Sequence, residues 1–318
     1  MKQPLPKKWS RRIFAVRLGA TLLGGAVLVV FLALLAMLYW MNAKAELTRP
    51  DKLTCPDVTV AEVRFTVRTG RYRVMPVEAF LAMTRGMPEP AANLVAKGLR
   101  DPSCPAVIVL SRTSGGEGVM AVSLGKYPGM FRLVRRDLER RAEKRLLPYA
   151  IKYHSGAPIF FTEGKDASGL MPLTVKGTTF VQASSTAMLE RILDRINGPD
   201  RPPRPDPPGT WCDLQAESWP LLTQLAGDFS PEWGEALERM EREMPALGRV
   251  GGILCYGGAG GGRGDLYLDA ASPEDAAEIA RDLPEWIHNN PKIGTAILPV
   301  DKVEAKGKGV RIYLTVSP

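Results

Sequence analysis

Residues Leu18 to Met41 read LGATLLGGAVLVVFLALLAMLYWM, without one charged side chain. At about 1.5 Å of helical rise per residue, the run is long enough to cross a hydrocarbon layer about 30 Å thick. Helices of soluble cores seldom stay apolar on every side for so long. The run therefore predicts a transmembrane helix, with the lipid bilayer as the chain's first partner. Lys2, Lys7, Lys8, Arg11, Arg12 and Arg17 precede it with no acidic residue between them, and Tyr39 and Trp40 close it as interfacial aromatics do. Basic flanks stay in the cytoplasm. The expected placement is a bacterial inner (cytoplasmic) membrane, with the N-terminus cytoplasmic and the bulk of the chain periplasmic or otherwise extracytoplasmic.

Two processing readings compete with a retained signal-anchor. Ala43-Lys44-Ala45 has the small-x-small form of a signal-peptidase site, and Ser10-Arg11-Arg12-Ile13-Phe14 has the form of a twin-arginine signal. The apolar run exceeds the usual 7–15 residues or so of a secretory h-region. Ala15 and Val16 stand where a twin-arginine signal continues with Leu and Lys. A retained anchor is the expectation.

Lys and Arg outnumber Asp and Glu by 42 to 34, for a formal charge of +8. Six of those cations lie ahead of the apolar run, so the rest of the chain is nearly balanced. The basicity is a topology signal, and no basic stripe interleaved with aromatics remains to bind nucleic acid. Apolar content of 45% and charged content of 24% are those of a folded globular chain.

The organisation divides as 1–17 cytoplasmic basic segment, 18–41 membrane helix, 42–54 stalk, 55–197 first domain, 198–209 linker and 210–318 second domain. The linker holds six prolines from Pro199 to Pro208, which excludes helix and central strand and favours an extended spacer. Its P-x-x-P spacings suit an SH3-type reader only if they face the cytoplasm. Each domain reads as strand, helices, hairpin with a Gly-rich turn, helix, hairpin. VIVLSRTSGGEGVMAVSL (107–124) stands in the first where ILCYGGAGGGRGDLYLDA (253–270) stands in the second. The expected fold is α+β: one membrane helix, then two similar domains of antiparallel sheet with helices packed on them, a pattern that suggests internal duplication. Cys55 and Cys104 fall in the first domain, Cys212 and Cys255 in the second. In an oxidising compartment the pairing Cys55–Cys104 with Cys212–Cys255 would let each domain fold alone.

Chemistry is sparse. The two histidines, His154 and His288, have no second ligand at metal spacing, and H-E-x-x-H, C-x-x-C and calcium-loop patterns are absent, so neither metal nor cofactor is expected. The Gly257–Gly264 run lacks a P-loop's Lys-Ser/Thr and precedes a strand, which marks it as a hairpin turn. No G-x-S-x-G or S-x-x-K occurs. One polar cluster, His154, Ser155, Glu163, Lys165, Asp166 and Ser168, offers an acid, a base and a nucleophile in close sequence; His154, Glu163 and Asp166 are the candidate catalytic residues, against a plain solvated loop. A helix from Phe131 carries Arg132, Arg135, Arg136, Arg140 and Lys144, a basic face suited to anionic headgroups or simply to water.

The expected function is a membrane-anchored envelope scaffold that interacts with another envelope or membrane protein and catalyses nothing. The alternatives are a tethered hydrolase built on His154, or a sensor binding a small ligand between the domains. A pocket joining His154 to a carboxylate would favour the first alternative.

Overall fold

The computed structural model describes residues 27–67, 87–162, 170–199, 210–229, 231–244, 247–256, 262–289 and 300–315. Strand β1 (Thr59–Val67) shows how the sequence sorts itself. A bulge between Thr59 and Ala61 resets the alternation. Beyond it, Ala61, Val63, Phe65 and Val67 turn to one face, and Glu62, Arg64 and Thr66 alternate with them. Strand β2 (Ala106–Thr113) is apolar without alternation because both its faces are covered: Ala106, Ile108 and Leu110 on one, Val107 and Val109 on the other.

The remaining strands are β3 (Gly118–Leu124), β4 (Ala150–His154), β5 (Ala157–Phe161), β6 (Leu173–Lys176), β7 (Thr179–Ala183), β8 (Thr210–Ala216), β9 (Leu247–Tyr256), β10 (Gly262–Ala270), β11 (Val300–Lys306) and β12 (Gly309–Thr315). The helices are α1 (Glu89–Arg100), α2 (Pro128–Glu143), α3 (Thr186–Asn197), α4 (Trp219–Phe229), α5 (Pro231–Glu243) and α6 (Pro273–Asn289). The twelve strands of the described residues join one antiparallel sheet in the order β11-β12-β10-β9-β8-β1-β2-β3-β7-β6-β5-β4. Each half lays down five strands in the same order, β1-β2-β3-β7-β6 and β8-β9-β10-β12-β11, and the β4–β5 hairpin extends the first. The first strands of the halves, β1 and β8, pair with each other at the centre, with Val63 opposite Leu214.

Helices cover the two faces unequally. Leu94 and Val95 of α1, Phe131 and Leu138 of α2, Trp219 and Leu222 of α4, and Ile279 and Leu283 of α6 pack on one face along both halves. Among the described residues, the core on the opposite face lies over the first half, where Met188, Leu189, Ile192 and Leu193 of α3 meet Val107, Val109, Val119, Ala121 and Val181, with Leu53 and Cys55 from the segment ahead of β1. Over the second half that face carries polar residues such as Asp213, Gln215, Asp265, Tyr267 and Arg311.

Three expectations are corrected. The membrane helix over Leu18–Met41 is not found: among the described residues no helix is long and apolar enough to cross a membrane. Residues 27–41 are helical, and residues 18–26 lie outside the described residues. Two domains with their own sheets are replaced by one continuous sheet, because β1 and β8 each present a bare edge that the other satisfies over Ala61–Thr66 and Trp211–Ala216. The expected disulfides do not form: Cys55, Cys104 and Cys212 are free and buried. Cys55 and Cys104 belong to cores on opposite faces of the sheet. The ladder sets Cys212 against Leu254 and Cys255 against Trp211, which are alternate positions and not facing ones.

Candidate functional site

Where the α3 layer ends and the bare second half of the sheet begins, the step forms a cleft of about 600 Å³. Its wall is the segment ahead of β1, from Arg49 through the 3₁₀ turn Pro50–Lys52 to Thr54 and Pro56, together with Arg195 of α3. That segment is firmly tied. Thr48 N donates to Ser123 Oγ at 2.9 Å, Leu53 is fully buried, and Arg195 Nη2 donates to the Asp51 carbonyl at 2.6 Å. The floor is the polar side of four neighbouring strands: Glu62 and Arg64 of β1, Gln215 at the end of β8, Arg249 of β9 and Tyr267 of β10, with Glu217 beside them. Gly251, opposite Tyr267 in the ladder, leaves room for the ring to lie across the sheet; a Cβ there would sit 2.4 Å from Tyr267 Oη.

The electrostatics centre on Glu62. It is 8% exposed, on the floor under the wall, with Oε1 2.5 Å from Arg64 Nε. Arg64 also reaches Asp213, Nη2 to Oδ2 at 3.7 Å. Burial raises the Glu62 carboxyl against the pull of Arg64, and Asp213 adds to the rise, so its pKa stands at about 7. Arg49 is held by Asp51 at 3.0 Å. The Arg195 Nε is buried with no hydrogen-bond partner among the described residues. Four guanidinium groups, of Arg49, Arg64, Arg195 and Arg249, thus line the cleft with three carboxyls, of Asp51, Glu217 and the raised Glu62. The cleft is positive, and it presents a buried donor that lacks an acceptor.

The sequence-predicted residues lie elsewhere. His154 ends β4, and its Nε2 is 2.7 Å from Oδ1 of Asp194 on α3. Ser155 Oγ donates to the same Asp194 oxygen at 2.7 Å. In a nucleophilic triad the histidine stands between serine and acid; here the acid stands between the other two, so the imidazole is not set on the serine. These hydrogen bonds hold the exposed Asp194 carboxyl below its usual range. Lys176 Nζ and Asn197 Nδ2 both donate to the Ser155 carbonyl, which completes a tie between the β4–β5 turn and α3. Glu163 and Asp166 lie outside the described residues. Among those described, no group of three His, Cys, Asp or Glu residues is placed to hold a metal. The basic residues Arg132, Arg136 and Arg140 are exposed along α2 and Lys144 is exposed at its C-cap, whereas Arg135 pairs with Glu139 at 3.1 Å.

Glu62, Arg64, Arg195, Arg249 and Tyr267 were not singled out in the sequence. The available signal was Glu62 and Arg64 as the only charged residues of the run Val58–Val67. Comparison of the chain with protein-family models, curated proteins and solved structures finds no match.

Proposed function

We propose that the protein is a non-enzymatic binding protein, attached to a lipid layer by its apolar N-terminal segment, that takes a small anionic ligand in the cleft between its halves. The cleft carries the reading: about 600 Å³, in the size range of small-molecule sites, with four arginines, a buried Arg195 Nε that has no partner among the described residues, and a carboxyl whose charge burial disfavours. A carboxylate or phosphate group would supply the missing acceptor, and planar guanidinium donors match both bidentately. The aromatic face of Tyr267 offers the apolar body of such a ligand a surface. Lipid attachment is supported by the stretch 27–40, whose large apolar side chains are exposed, among them Val27, Leu28, Val30, Phe31 and Leu35. The arrangement around His154 gives the hydrolase reading no support.

Titration calorimetry with a panel of monocarboxylates, dicarboxylates and phosphate monoesters tests the proposal. At least one class should bind, and Arg195→Gln with Arg249→Gln should weaken it by about tenfold or more, in line with the loss of one or two charge-assisted hydrogen bonds. His154→Ala should leave affinity unchanged. Binding that ignores both arginine substitutions, or no binding by any anion in the panel, would overturn the cleft as the site.

A further inference from the structure

The basic helix α2 has a geometry that its sequence does not reveal. Phe131, Leu138 and Ala142 are buried against the sheet. The opposite side of the helix carries Arg132, Arg136 and Arg140, with Lys144 at its C-cap, spaced four apart, all exposed and without ion pairs among the described residues. The acidic residues of the helix are partly spent on its flanks, where Asp137 pairs with Arg141 at 2.8 Å and Glu139 with Arg135 at 3.1 Å. Gly129, on the same outward side one turn before Arg132, is where the apolar segment ends: a Cβ on Gly129 would fall 2.6 Å from Trp40 Cε3. The Arg132 guanidinium stands over that indole, 5.9 Å from the ring centroid. The apolar helical stretch 27–41 therefore leaves the body from the face of α2 that bears the unpaired cations.

We propose that this ridge, Arg132, Arg136, Arg140 and Lys144, is a docking surface for the anionic headgroups of the lipid layer that receives the apolar segment. The inference rests on the lipid attachment proposed above. Trp40, an amphipathic ring between an apolar stretch and a cationic row, is the residue type that settles at headgroup level. Cations within a Debye length of an anionic surface are attracted to it, and a row four residues apart presents them along one line. Leu133, 43% exposed between Arg132 and Arg136, gives the same side an apolar contact.

The test uses the full chain mixed with vesicles of two compositions, zwitterionic lipid alone and the same lipid with about a third anionic lipid, a content high enough to give the strongly negative surface the argument needs. Flotation reads attachment, and phenylglyoxal modification followed by peptide mapping reads the accessibility of individual arginines. The chain should float with both vesicle types. Modification of Arg132, Arg136 and Arg140 should slow by about fivefold on the anionic vesicles only and recover in about 0.5 M salt, which shortens the screening length severalfold. Arg281 on α6, 70% exposed, should react equally in both. Failure to float with either vesicle would overturn the attachment and this inference with it. Floating with equal reactivity along the ridge would overturn the ridge alone, as would protection by polyglutamate but not by anionic vesicles, which would assign the ridge to an acidic protein.

Discussion

Glu62 is the residue at which burial and charge conflict most directly. An ordinary glutamate titrates near 4.5, and this one is raised to about 7. Below pH 4.5 folded and unfolded chains both hold the proton, so the shift contributes nothing. Between 4.5 and about 7 the folded chain keeps a proton that the unfolded chain has released, so raising the pH costs stability. Above 7 both are ionised and the full cost is in place, on the order of 3 kcal/mol before any compensation. Arg64, Asp213 and Arg195 face the carboxyl, and Glu62→Gln would leave Arg64 with Asp213 as its acid partner. Thermal midpoints of the wild type should therefore fall between pH 5 and pH 8. The Glu62→Gln variant should lose most of that slope and gain about 1–3 kcal/mol at pH 8, with no gain at pH 4. A variant with the wild-type slope would show that the cleft does not desolvate Glu62. None of this could be read from TVAEVRFTV, because strand alternation alone assigns Glu62 and Arg64 to the solvent side. What buries them is the 3₁₀ turn at Pro50–Lys52 and Arg195, the latter far along the chain.

Among the elements, legibility follows locality. The β2–β3 hairpin, the alternating β12 and the start of α6, where Ser272 Oγ accepts from Asp275 N at 3.0 Å, are set by neighbours in sequence and were readable from it. β4 was not. Ala150–His154 is an edge strand of mixed polarity, specified by its pairing with β5 more than by its own pattern. Helix α3 combines both kinds of information. Ser185 caps it, with Oγ accepting from Met188 N at 3.2 Å, while the same hydroxyl donates at 2.5 Å to Oε1 of Glu117 in the β2–β3 turn. Ser185→Ala removes both bonds and should lower stability by about 1–2 kcal/mol; Ser185→Thr, which keeps a capping hydroxyl, should retain most of it. Chemical denaturation of both variants checks this. Since α3 also carries Arg195, the Ser185→Ala variant should bind the cleft ligand more weakly than the threonine variant, and equal affinity would show that the wall does not depend on its cap.

At the scale of the molecule, the sequence pattern separates two halves at the proline-rich segment, and the structure joins them again through β1 and β8. That junction is more than a backbone ladder. Ala61 and Phe65 of β1 share one core with Cys212, Ala216 and Trp219, α4 packs against both β1 and β2, and Arg112 of β2 pairs with Asp228 of α4. Periodicity could not foresee this, because it reports which face of a strand is buried and is silent about which edge finds a partner. Covalent continuity through 200–209 should then be dispensable once the chain has folded. With a protease site placed in that segment, cleavage of the folded protein should yield two fragments that co-elute on size exclusion as one particle and keep the cleft's ligand affinity, since its wall comes from one half and much of its floor from the other. The same fragments produced separately would each expose a long unpaired central strand and should aggregate or recombine when mixed. Fragments that separate after cleavage as two stable, soluble monomers would show that the β1–β8 ladder does not hold the halves together, and the cleft would then lose the rigid base on which its arginines are arranged.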